Sequence, residues 1–175
     1  ALCRSFLCEG ILPAAAAFAR GFAYFAPAGT LALRIFSLVE LRDLLCGGDV
    51  MSRDELWAPD AVLHCIRTDH GYSPTSAPVR ALLEVLHEFS AAERRLFMRF
   101  ITGAPRLPSG GFGALQPPLT IVRTAAHDRE EADALLPTCS TCHVYLKLPA
   151  YSSKTQLRAK LLLAIREGQE VFAFD

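Results

Sequence analysis

Three times along this chain a serine is followed three residues later by Glu or Gln: Ser37 with Glu40, Ser90 with Glu93, and Ser153 with Gln156. At that spacing the hydroxyl accepts the N3 backbone N–H and the N3 side chain reaches back to the serine N–H, so two orphan donors of a helix start are satisfied reciprocally. Apolar residues at helical spacing follow each box: Leu38, Leu41, Leu44 and Leu45; then Leu96, Phe97 and Phe100; then Leu157, Leu161, Ala164 and Ile165. Gly47, Gly103 and Gly168 stand where the left-handed residue after a helix favours glycine. A fourth helix is predicted over Pro78–Phe89, with Val79, Leu82, Leu83, Leu86 and Phe89 on one face.

Strand signals are short. Leu119–Val122 is β-prone, and Val144–Leu148 alternates so that Val144, Leu146 and Leu148 face one way. The tail Val171–Phe174 is a further strand candidate, while Pro105–Pro118 and the polar, acidic Ala125–Ala134 read as loops. The expected class is α+β, helices packed on a small sheet. The apolar stretch Ile11–Val39 is interrupted by Arg20 and Arg34, too early for the ~18 uncharged residues of a membrane span, and predicts buried helix and turn. Glu9 lies inside what would be the apolar region of a secretory signal, and a chain opening at Ala1 is expected to start inside a larger protein. With 51% hydrophobic and 21% charged residues the chain should fold. Lys plus Arg equals Asp plus Glu, 18 each, which gives nucleic acid or a membrane surface no basic excess to bind.

Six cysteines without framework spacing point to a reducing, intracellular compartment. Cys3, Cys8, Cys46 and Cys65 read as small buried hydrophobes. Cys139 and Cys142 form a Cys-x-x-Cys, but a zinc site needs two further ligands and no second such pair exists. A thioredoxin-type pair belongs at a helix start, and here a strand pattern follows. Five histidines, at 64, 70, 87, 127 and 143, offer bases for a cysteine hydrolase, yet none sits in a hydrolase motif. Cys142 ends the Pro-containing loop Leu136–Thr141 just before a strand, where a scaffold can present a thiol at a surface. Gly47–Gly48–Asp49 is the candidate domain boundary, paired glycines directly after a helix.

The run Leu136-Pro137-Thr138-Cys139-Ser140-Thr141-Cys142, the strand ending Leu146-Lys147-Leu148-Pro149-Ala150-Tyr151-Ser152, and the helix after it resemble the catalytic segment of the HECT ubiquitin ligases. Upstream, Thr102-Gly103-Ala104-Pro105-Arg106-Leu107-Pro108, Gly71-Tyr72-Ser73, Phe18–Gly21–Phe22 and Leu44–Gly47 extend the resemblance over about residues 18 to 175. The wording is most similar to the ubiquitin-fusion-degradation branch, that of the thyroid-receptor-interacting ligase. The resemblance implies a bilobal unit: residues 1–48 as the helical end of the amino-terminal lobe, 49–53 as a hinge led by Gly47 and Gly48, and 54–175 as the complete cysteine lobe. It implies Cys142 as the carrier of a ubiquitin thioester, with Thr141 and loop N–H groups as oxyanion donors, or Thr141 as a turn hydroxyl bonding its own backbone. Phe172 would dock the tail on the other lobe, or simply pack in the core. Partners would be ubiquitin, a conjugating enzyme (E2) that binds the part of the larger lobe absent from this chain, and a protein substrate in the cytoplasm or nucleus, with no cofactor or metal. The alternative is a non-catalytic interaction module of the same fold. Ser140 stands where many members have histidine and His143 follows the cysteine, so histidine-assisted activation is not carried over. Cys139 is expected to be an inert loop residue rather than an oxidation partner, Arg106 a support or a surface charge, and Trp57, Tyr72 and Phe112 core or loop anchors.

Overall fold

The structure, a computed structural model, describes residues 10–27, 33, 35–41, 50–108 and 110–171. The chain divides into two compact units, Ala1–Leu45 and Cys46–Asp175.

In the first unit Ser37 and Glu40 cap reciprocally, Ser37 N–H to Glu40 Oε2 at 2.7 Å and Glu40 N–H to Ser37 Oγ at 3.2 Å. Leu44, Leu45 and Gly47 lie outside the described residues. Helix α1, Leu12–Phe25, starts at Pro13 in its first turn. It was expected to be buried, and it buries none of its residues; Phe18 and Phe25 are among the exposed aromatics. Phe18, Phe22 and Phe25 recur at helical spacing along it, and the Phe18 and Phe22 rings stack with centroids 6.2 Å apart. Among the described residues no helix is long and apolar enough to cross a membrane.

The second unit opens with one-turn 3-10 segments at Val50–Ser52 and Asp54–Leu56, then α2 (Pro59–Leu63), β1 (Arg67–Asp69), α3 (Ala77–Glu88) and α4 (Ala91–Thr102). A third 3-10 turn, Gly111–Ala114, precedes β2 (Thr120–Arg123), α5 (Arg129–Ala134), β3 (Thr138–Ser140), β4 (Tyr145–Leu148) and α6 (Lys154–Val171). The sheet runs β1-β2-β4-β3, the first three strands parallel and β3 antiparallel at the edge. The architecture is α+β. One sheet face, with Ile121, Leu146 and Leu148, packs into a core with Val79, Leu82, Leu83 and Leu86 of α3, Phe97, Met98 and Ile101 of α4, and Leu157, Leu161 and Ile165 of α6. Full burial of each such side chain contributes about 1.5–3 kcal/mol.

Several start and stop signals hold. Ser90 and Glu93 form the complete capping box of α4, which ends at Gly103 in the left-handed conformation, φ +79°. Ser153 Oγ accepts Gln156 N–H at 3.1 Å, but Gln156 Nε2 donates to Asp133 O instead of closing the box. Three expectations are corrected. Helix α6 continues through Gly168; a Cβ there would come within 3.3 Å of Phe100 Cδ2, so the glycine permits close helix approach rather than ending the helix. Val171 is still helical, so no strand begins there. Within the expected loop Ala125–Ala134, α5 forms because Asp128 Oδ1 caps Glu131 N–H at 2.8 Å while Glu131 Oε2 accepts His127 N–H.

Arg94, buried, ties the start of this unit to α4 and the end of α3. Its guanidinium lies over Trp57 at 5.1 Å, donates to Met51 O and His87 O, each at 2.8 Å, and meets Asp54 Oδ1 at 2.8 Å. The planar guanidinium reaches two carbonyls and a carboxylate while lying over the indole, a geometry that a compact lysine ammonium does not match. Trp57 also meets Phe112 edge-on, centroids 5.0 Å apart, so both aromatics are core anchors as expected.

Candidate functional site

Cys142 lies on the four-residue turn between β3 and β4, where Ser140 pairs with Tyr145 across the hairpin. Two long hydrogen bonds shape the turn: His143 N–H to Ser140 O at 3.3 Å and Val144 N–H to Thr141 O at 3.4 Å. Val144, expected to open the strand, closes the turn instead at φ +50°, a conformation β-branched residues rarely adopt. Such strain costs about 1–3 kcal/mol and persists only where surroundings impose it. Here the Val144 side chain is buried in the core, and its carbonyl accepts Thr120 N–H of β2 at 3.0 Å. With the turn nailed down at Val144, Thr141, Cys142 and His143 project from the lobe.

The segment leading into β3 is fixed from α6 and the residues just before it. Tyr151 Oη donates to Leu135 O at 2.9 Å, Gln156 Nε2 to Asp133 O at 3.1 Å and Lys160 Nζ to Ala134 O at 2.9 Å. Ser152 N–H donates to the Asp133 carboxylate at 2.8 Å and, with the Ser152 hydroxyl, holds that carboxyl below its usual range. Tyr72 Oη donates to Leu148 O at 3.0 Å at the far end of β4, and burial pushes its phenol up to about 12. The anchoring role of Tyr151 was not read from the sequence, although its place after Leu148-Pro149 was the signal.

The two cysteines of the Cys-x-x-Cys differ. Cys142 is exposed. Cys139, on β3, is half-buried with its Sγ 3.6 Å from Ile101 O, and burial pushes that thiol up to about 12. Cys142 opens into a cleft of about 410 Å³ whose walls include Thr102, Pro108, Leu115, Pro117, Thr141 and Val144. The Thr102–Pro108 element singled out in the sequence therefore forms one wall of the cysteine cleft. Thr102 Oγ1 donates to Met98 O at 2.7 Å and accepts Ala104 N–H at 3.1 Å, which sets that wall. Arg106 is exposed.

Thr141 shares the cleft, and among the described residues its hydroxyl makes no hydrogen bond. His143 and Val144 N–H are committed within the turn, whereas Cys142 N–H has no hydrogen bond among the described residues. The arrangement offers an accessible sulfur beside a free N–H and a free hydroxyl, groups that can receive and stabilise an acyl oxygen. Among the described residues no three His, Cys, Asp or Glu side chains gather as metal ligands. Gly47, Gly48 and Phe172 lie outside the described residues.

Comparison with known proteins agrees with the motifs. Residues 1–175 match the model of the HECT-domain (ubiquitin-transferase) family. The chain is 48% identical over 164 residues to E3 ubiquitin-protein ligase TRIP12 of Danio rerio, covering 94% of this chain and 8% of that protein. It is 45% identical over 166 residues to E3 ubiquitin-protein ligase UPL4 of Arabidopsis thaliana, covering 95% and 10% respectively. Identity to Ubiquitin fusion degradation protein 4 of Saccharomyces cerevisiae is 40% over 125 residues, 71% of this chain and 8% of that protein. The chain thus spans about a tenth or less of the length of these relatives. With the whole chain matched, and with Thr102 and Pro108 of one motif meeting Thr141 and Cys142 of another at one exposed thiol, this chain belongs to the HECT-domain family of ubiquitin transferases.

Proposed function

We propose that this chain is the transfer end of a HECT-type E3 ubiquitin ligase, in which Cys142 takes ubiquitin from an E2 as a thioester and passes it to a substrate lysine. The observation that carries this is the exposure of Cys142 at the tip of a braced turn, beside a cleft that Thr102 and Pro108 of the upstream motif help to wall. Thiolate is intrinsically nucleophilic, and exchange of one thioester for another is close to isoenergetic, so presentation and alignment matter more than acid–base assistance. Cys142 N–H and Thr141 Oγ1 are the candidate oxyanion donors.

In the same proposal residues 1–48 end an amino-terminal lobe, a reading that the apolar helix α1, none of whose residues is buried, supports. Gly47 and Gly48 lead a hinge at 49–53, and residues 54–175 form the cysteine lobe. Phe172 docks the tail during lysine attack, the E2 binds lobe residues outside this chain, and the setting is cytoplasmic or nuclear.

The test uses activating enzyme, E2 and ubiquitin with a polypeptide carrying this chain behind an upstream HECT lobe. A reducible ubiquitin adduct that disappears in Cys142→Ala supports the proposal. Release of free ubiquitin from a conjugate would indicate a hydrolase instead, and no adduct at all would indicate a non-catalytic interaction module.

A further inference from the structure

The turn that carries Cys142 also carries His143, and the two side chains open into different clefts. The His143 cleft, about 360 Å³, is lined by Arg67 and Asp69 of β1, Thr120 of β2 and Tyr145 of β4. Pro117 stands in the wall of both clefts, so they are neighbours across one residue. His143 is oriented: its Nδ1 lies 3.4 Å from Ser140 Oγ, and its ring meets Tyr145 edge-on with centroids 6.4 Å apart. Its Nε2 carries no hydrogen bond among the described residues.

We propose that the His143 cleft receives the attacking lysine and that His143 Nε2 is the base that takes its proton; this rests on Cys142 being the thioester carrier. Once ubiquitin is attached, its chain occupies the cleft of Cys142, and the second substrate has to arrive from another side. The adjoining cleft offers that side. A lysine ammonium, with an ordinary pKa near 10.4, must lose a proton before it can attack, and an imidazole is the side chain suited to accept one near neutral pH. The Asp69 carboxylate supplies attraction for the ammonium. It is held in place by His70 N–H at 2.7 Å, with His70 Nε2 at 3.7 Å from its other oxygen. Arg67, two residues earlier on the same strand face, repels the ammonium and biases it toward Asp69.

The charged and titratable groups facing His143 are thus Arg67, Asp69 with His70 behind it, Tyr145, and Cys142 on its own turn. The ammonium gives one proton to His143, and the amine adds to the thioester carbonyl. Collapse of the adduct breaks the C–S bond, and the proton left on nitrogen goes to the departing Cys142 sulfur. The products are an isopeptide amide, the Cys142 thiol, and a proton that His143 returns to solvent.

The experiment loads this chain with ubiquitin from a ubiquitin mercaptoethanesulfonate thioester, then follows single-turnover discharge by Nα-acetyl-lysine between pH 6 and 8.5. His143→Gln should load as the unmodified chain does, discharge about a hundredfold more slowly, the lower end of general-base contributions, and lose the pH inflection of the imidazole. Asp69→Asn should raise the acetyl-lysine concentration needed for half-maximal rate with little change in the plateau. Discharge of His143→Gln at the unmodified rate with an unchanged pH profile overturns the proposal. Failure of the chain to load at Cys142 removes the thioester carrier itself, and this inference with it.

Discussion

The strand Thr138–Ser140 and the turn Thr141–Val144 each hold one cysteine of the same Cys-x-x-Cys, and they treat the thiol in opposite ways. On the strand, Cys139 sits opposite Leu146 with its sulfur toward Ile101 O, and burial keeps it protonated. On the turn, the left-handed Val144 ends the register of the hairpin, and Cys142 faces solvent. Residue type and sequence spacing are shared; what separates a reactive position from an inert one is side-chain direction. A strand alternates its side chains between a buried and an open face, and a turn locked at one end escapes that alternation.

The largest expected effect breaks the pair apart. Cys142→Ala should abolish the reducible ubiquitin adduct, while Cys139→Ala should leave it near the unmodified level, read on a non-reducing gel with the complete ligase. An adduct retained by Cys142→Ala and lost by Cys139→Ala would reverse the assignment. The second effect is in reactivity without any partner. With its thiol at about 12, Cys139 carries about one thiolate in ten thousand at pH 8. Iodoacetamide should therefore label Cys142 readily in the folded chain and Cys139 only after denaturation, with peptide mass spectrometry as the readout. Comparable labelling of both under native conditions would mean that the strand does not shield its sulfur.

Much of this contrast was legible beforehand, and its gaps have physical causes. Ser90, Glu93 and Gly103 predicted α4 well because capping is local chemistry. The inward direction of Val144, Leu146 and Leu148 was likewise visible as alternation, and all three are buried. The sign of φ at Val144 was not, since only tertiary contacts hold a β-branched residue there. Arg67–Asp69 has no apolar pattern and becomes a strand only because β2 offers it a partner. Gly168 misled because a glycine at a helix end and a glycine at a helix contact look alike in sequence, and Phe100 decides between them. The acidic run before Leu135 hid α5 because its cap, Asp128, was read as loop polarity. The distinction between Cys139 and Cys142 came from motif resemblance, while the clefts that flank the turn needed the fold.

Val144→Gly acts at the residue that locks the turn. Removing the buried side chain costs about 1.5–3 kcal/mol, and relief of the backbone strain returns about 1–3 kcal/mol. The melting temperature should change little, while the turn loses its anchor and thioester formation slows severalfold. A large drop in stability with normal transfer rate would show that Val144 serves the core alone and does not hold the cysteine in position.

The smallest effect concerns alkaline pH. Burial raises the Cys139 thiol from its ordinary 9.0 to about 12, and the Tyr72 phenol from 10.0 to about 12. Both neutral forms are favoured by the fold, so their contribution is fully present below pH 9. From there the unfolded chain releases protons that the folded chain retains, and stability falls as pH rises toward 12. Each group can contribute at most about 1.4 kcal/mol per pH unit, and solvent at the edges of both side chains reduces that. The urea midpoint should therefore drop between pH 8 and pH 10, and it should drop less in Cys139→Ala, where the decline begins only as the phenol's unfolded value is approached. An equal decline in both proteins would show that the Cys139 thiol ionises as freely in the fold as in the unfolded chain, and the strand would then resemble the turn after all.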